Sequence, residues 1–99
     1  MPTITEDPGT EIFTDTETSP SLDEPWNVIV YDDPVNYMGF VAMVFRRVFG
    51  YPDEKAELLM MEVHQEGKSV VWTGVREKAE FYVQQLQSYQ LLAAMKKSA

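Results

Sequence analysis

Beyond residue 25 the hydrophobic positions alternate between two rhythms: short apolar runs, and spacings of three to four residues. Trp26-Asn27-Val28-Ile29-Val30-Tyr31 is β-branched and aromatic, which reads as a strand. Asp32-Asp33-Pro34-Val35 breaks it, because Pro34 removes a backbone donor and restricts the residue before it. Asn36 then offers an N-cap for a helix over residues 37–49, with Met38, Val41, Phe45 and Val48 on one stripe and Gly50 at its end. Asp53 caps a second helix, whose stripe is Ala56, Leu59, Met60 and Val63 and whose stop is Gly67. Ser69 to Thr73 reads as a strand, and Arg76 to Ser88 as a helix turning Ala79, Tyr82, Val83 and Leu86 inward. Leu91 to Met95 reads as a last strand. The order β-α-α-β-α-β predicts an α+β fold: a small three-stranded antiparallel sheet covered by three helices.

The first 24 residues follow neither rhythm. They hold seven acids and no Lys or Arg, and beyond Met1 their only large apolar side chains are Ile4, Ile12, Phe13 and Leu22. Such a segment buries too little surface to offset the entropy of ordering, so residues 1–24 are expected to be a disordered acidic tail. Residues 25–99 form the single domain, and the chain divides there in charge as well. The whole chain carries -8, but the last 75 residues hold nine acids against eight bases. With no basic face to displace counterions from phosphates, nucleic-acid binding is not expected. Cysteine is absent, which excludes disulfides, thiolate zinc sites and thiol nucleophiles. The N-terminus lacks the features of a signal peptide and Phe40 to Phe45 is too short to span a bilayer, so a cytoplasmic protein without a membrane segment is expected.

Candidate chemistry concentrates in two segments. Tyr31-Asp32-Asp33-Pro34-Val35-Asn36 places two carboxylates at a strand end, where scaffolds display binding groups. Leu59 to Lys68 places the single histidine, His64, one helical turn after Met60 and near the helix end. Each has a plainer reading. Asp before Pro initiates turns, a histidine at a helix C-terminus favours the dipole, and Met38, Met60 and Met61 can be core. If the segments meet, two carboxylates and a neutral imidazole make an acceptor cluster beside an apolar hole. That suits a primary ammonium carrying a large hydrophobic group, such as the first residue of a polypeptide. One histidine with scattered carboxylates is no metal-ligand pattern, and no nucleophile accompanies it. No cofactor, no metal and no catalytic residue are therefore expected.

At these two segments the chain resembles the ClpS family, adaptors that deliver N-degron substrates to Clp unfoldases. The resemblance covers about residues 25 to 97. It implies a fold similar to the C-terminal domain of the ribosomal stalk protein, in agreement with the element order. Carried over by position, it implies that Asp32, Asp33 and His64 hold the substrate α-amino group. Val35, Met38, Val41, Met60 and Val63 correspond to an apolar pocket for an N-terminal Leu, Phe, Tyr or Trp, with Met38 similar to a gate residue. Glu77 matches a surface that docks on the N-terminal domain of an AAA+ unfoldase of the ClpA or ClpC type, and a monomer is expected. Tyr31 stands where many members have Asn, and the loop from Asp33 to Met38 is one residue longer than the common form. The alternative is a stalk-like protein–protein module that lacks the amino-group pocket.

Overall fold

The computed structural model describes residues 24–98, so the expected tail lies outside the described residues except for Glu24. The elements run β1 (Trp26–Tyr31), α1 (Met38–Phe49), α2 (Asp53–Glu66), β2 (Lys68–Gly74), α3 (Arg76–Ser88) and β3 (Leu92–Lys97). The sheet is antiparallel with strand order β2-β1-β3, so the first strand lies at its centre. A central strand must be apolar on the side that meets the core. Val28 and Val30 are that side, and they join Val41, Val44 and Phe45 of α1, Leu59 and Val63 of α2, and Val83 and Leu86 of α3. Phe45 and Leu86 are fully buried at the middle of this cluster.

Three expectations about local structure are corrected. Asn36 does not cap α1: the cap position is Tyr37, with no side-chain bond. The Asn36 backbone N–H closes a turn onto the Asp33 carbonyl at 3.0 Å, and its amide reaches elsewhere. Asp53 is the first helical residue of α2 and Pro52 precedes it as cap. Its carboxylate still sits favourably in the first turn, 3.4 Å from Arg46 Nε. The last strand begins at Leu92 and runs to Lys97, because Leu91 is drawn back by a bond from its N–H to the Leu86 carbonyl at 3.1 Å.

The two glycine stops act through backbone conformation. Gly50 (φ 72°) and Gly67 (φ 88°) take left-handed angles that a side chain would strain, and their N–H groups close the last turns onto Arg46 and Val63. Between β1 and β2 the register slips: Val28 faces Trp72 and Ile29 faces Val70, so Val71 is left over as a bulge. Its carbonyl accepts the Tyr51 hydroxyl at 2.7 Å. Tyr51 stacks on Phe49 at 5.0 Å, and Phe49 and Trp72 each pack 4.8 Å from Tyr82, so one aromatic group ties α1, α3 and the bulge together.

Burial first, and the nearby Tyr82 second, raise the Tyr51 pKa above the ordinary 10.0 of a tyrosine. A raised value in the folded state means that this stability is present at neutral pH and is lost as pH climbs past that ordinary value. Tyr51→Phe leaves the Val71 carbonyl unpaired and is expected to lower unfolding free energy at pH 7 by about 1–3 kcal/mol. Urea titrations at neutral pH and above about pH 10 should show the gap between wild type and variant closing at the alkaline end.

Candidate functional site

One backbone bond carries the β1–β2 pairing into the site. The Asp32 N–H donates to the Gly67 carbonyl at 2.9 Å, which clips the end of β1 to the cap of α2. His64 lies in the last turn before that cap, so the clip brings its Nδ1 to 4.0 Å from Asp32 Oδ1. Beyond Asp32 the chain folds into a tight turn, Asp33-Pro34-Val35-Asn36. The Asn36 N–H bonds the Asp33 carbonyl and the Val35 N–H bonds Asp33 Oδ1, both at 3.0 Å. Proline at the second turn position and Asp at the first are what such a turn favours. One oxygen of Asp33 is thereby committed and the other is left for a partner.

Beneath these polar groups is a small pocket of about 20 Å³. Asp32, Asp33 and His64 stand at its rim, and Met38, Val41, Met60 and Val63 contribute apolar walls. Seven of the expected site residues are thus brought together. Val35 is not: it is 82 % exposed and absent from the pocket lining, because the Asp33–Asn36 turn carries it outward. Glu77 is exposed in the first turn of α3, away from the pocket.

Four lining residues escaped the sequence reading as pocket residues: Val30, Tyr31, Asn36 and Leu91. Leu91 had been expected inside a strand; it instead precedes β3, buried to 4 % exposure. Its position against the Asp33–Met38 segment arises from a contact between chain regions more than fifty residues apart, and no local pattern carries that.

The electrostatics favour a cation. The Asp32 and His64 side chains are 41 % and 53 % exposed, so solvent reaches both and the Asp32 carboxylate needs no buried counter-ion. Among the described residues, no Lys or Arg pairs with Asp32 or Asp33; the cations pair with Asp53, Glu80 and Glu24. Two carboxylates and a neutral imidazole nitrogen only accept, whereas an ammonium only donates. No group of three or more potential metal-ligating side chains occurs among the described residues.

A larger open groove of about 780 Å³ lies between α2 and the outer sheet face, over Ile29, Leu58, Met61 and Val70. Its Glu62 is occupied by the Ser69 hydroxyl, and it holds no imidazole. Size alone would favour it, and Glu66 and Gln65 line it too, but Lys68 shares that lining, whereas the small pocket has two carboxylates and the imidazole with no Lys or Arg.

Comparison with known proteins identifies the family and the fold. A family model described as ATP-dependent Clp protease adaptor protein ClpS matches residues 21–94. The chain is 45 % identical over 82 residues to the ATP-dependent Clp protease adapter protein ClpS of Nocardia farcinica, covering 83 % of this chain and 77 % of that one. It is 45 % identical over 91 residues to its counterpart in Corynebacterium jeikeium, covering 92 % and 88 %. The structure of Agrobacterium tumefaciens ClpS2 bound to L-phenylalaninamide superposes with a TM-score of 0.71 at 21 % identity, covering 76 % of this chain and 98 % of that one, which shows the shared fold. Among the described residues no helix is long and apolar enough to cross a membrane. With its β-α-α-β-α-β fold and a family match across nearly all of the described domain, the chain belongs to the ClpS family of Clp protease adaptors and is not an enzyme.

Proposed function

We propose that this adaptor captures the first residue of a substrate polypeptide, an N-terminal Leu, Phe, Tyr or Trp, and delivers it to a Clp AAA+ unfoldase. The observation that carries the reading is the His64–Asp32 approach at 4.0 Å above an apolar pocket, with Asp33 beside it. The substrate α-ammonium donates to Asp32, Asp33 and His64, and its side chain enters between Met38, Val41, Met60 and Val63. The likeness to a protein solved with L-phenylalaninamide, an aromatic group beside a free amine, supports the reading.

Magnitudes are consistent with a reversible adaptor. Charge-assisted bonds contribute about 1.5–3 kcal/mol each, and burying a Leu or Phe about 1.5–3 kcal/mol. Set against the cost of association, these leave an affinity on the order of micromolar or somewhat tighter. The pocket in its present form holds little more than a water, so entry requires the unbranched Met38 and Met60 side chains to swing aside. The exposed Glu77 on α3 is the proposed contact to the N-terminal domain of a ClpA- or ClpC-type unfoldase, on a different part of the surface from the pocket. The adaptor acts as a cytoplasmic monomer in this proposal.

Asp33→Asn keeps the oxygen that bonds Val35 while removing the charge, and His64→Ala removes an acceptor. Each should weaken a Leu- or Phe-initiated peptide about tenfold or more, and so should acetylating the peptide. Fluorescence anisotropy measures this; an acetylated peptide that binds like the free one would rule out amine capture.

If Met38 narrows the mouth, peptides beginning with β-branched Ile or Val are excluded, since their bulk at Cβ meets the gate. Met38→Ala should admit both while Leu changes by less than about threefold. The check is the same titration with peptides differing only in the first residue; continued exclusion of Ile and Val would show that the gate lies elsewhere.

A further inference from the structure

Two of the pocket walls come from distant parts of the chain: the Asp33–Met38 segment, which contributes Asp33, Asn36 and Met38, and Leu91. A single side-chain bond joins the Asp33–Asn36 turn to the segment bearing Leu91. Asn36 Nδ2 donates to the Gln90 carbonyl at 3.3 Å, across 54 residues of sequence. The acceptor belongs to an unusual turn. Gln90 has φ of 70°, the only positive φ at a non-glycine among the described residues.

That conformation completes the cap of α3: the Gln90 N–H bonds the Gln87 carbonyl and the Leu91 N–H bonds the Leu86 carbonyl. Such caps ordinarily place glycine at the left-handed position, so a glutamine there is held against a steric cost. The peptide group between Gln90 and Leu91 is thus gripped at both ends, its N–H by α3 and its C=O by Asn36. Leu91 is fixed as a buried wall as a result.

We propose that Asn36 is a positioning residue that latches the two walls at a set separation and so determines which first residues the pocket favours. The inference rests on the amino-terminal binding proposed above. With the walls latched, a Leu side chain enters by rotation of Met38 and Met60 alone and keeps contact with Leu91. A Trp side chain needs the walls to part, which strains or breaks the Asn36–Gln90 bond. The latch therefore favours Leu over Trp.

The test compares the full chain with Asn36→Asp, which keeps the shape but replaces the donor by an acceptor facing a carbonyl. Asn36→Ala is the second variant and gives the same comparison if the aspartate unfolds the chain. Free-amine peptides beginning with Leu, Phe or Trp are titrated against each, and the methyl signals of Leu91 and Met38 are followed by NMR without peptide.

Loss of one hydrogen bond corresponds to a change of several-fold. Affinity for the Leu peptide is expected to drop about fivefold while Trp stays within about twofold or tightens. The Leu91 and Met38 methyl signals should shift in the unliganded variant. Proportional weakening of all peptides would mark Asn36 as merely structural and overturn the latch, as would an unchanged profile in a wild type that binds. A wild type that binds none of the peptides would overturn the amino-terminal reading, and the selectivity role with it.

Discussion

The bond from the Asp32 N–H to the Gly67 carbonyl is the constraint on which the candidate site depends. Gly67 serves two elements at once. Its N–H closes α2 onto Val63, one of the pocket walls, and its carbonyl holds the residue after β1. Both roles require the left-handed backbone at φ 88°, which glycine takes without the penalty a Cβ would bring. The clip continues the β1–β2 ladder one step past the Tyr31–Lys68 pair, and this carries the strand register over to the histidine and the aspartate.

The rest of the domain makes that clip rigid. Placing the first strand at the centre of the sheet lets Val28 and Val30 meet all three helices, so β1 cannot shift without unpacking Phe45 and Leu86. The bulge at Val71 departs from regular pairing, but it turns a carbonyl toward Tyr51 and seats Trp72 in the aromatic group with Tyr82. The polar site sits at the end of this packed body, where solvent still reaches the Asp32 and His64 side chains. A buried carboxylate pair would carry a large desolvation cost; at the rim that cost is small, and the acceptors remain available.

Two concave regions share α2 and show why size is a poor guide to chemistry. The broad groove over Ile29 and Val70 also carries Glu62 and Glu66, but Ser69 engages Glu62, Lys68 shares the lining, and no imidazole stands among them. The nearly closed pocket on the other side of the helix gathers carboxylates, imidazole and two methionines. Methionine suits such a place, since three rotatable bonds let it fill a small hole and vacate it again.

The order and type of every element followed from the sequence alone. Apolar runs, helical spacing and the two glycine stops are local signals, and each corresponds to a local free-energy preference. The candidate acceptors were legible as well, because adjacent aspartates at a strand end and a lone histidine near a helix end are unusual residue choices. Tertiary structure decided what local pattern does not encode. Asn36 and Asp53 are good caps by type, yet Asn36 is drawn to Gln90 and Asp53 sits within its helix. Val35 is apolar and two residues from Asp33, but the turn that its own N–H helps to close faces it outward. Leu91 looked like one more strand residue until the cap of α3 pulled it into the pocket wall. In each case the deciding partner lies elsewhere in the fold or in the closure of a turn, and only the assembled backbone brings it within hydrogen-bonding reach.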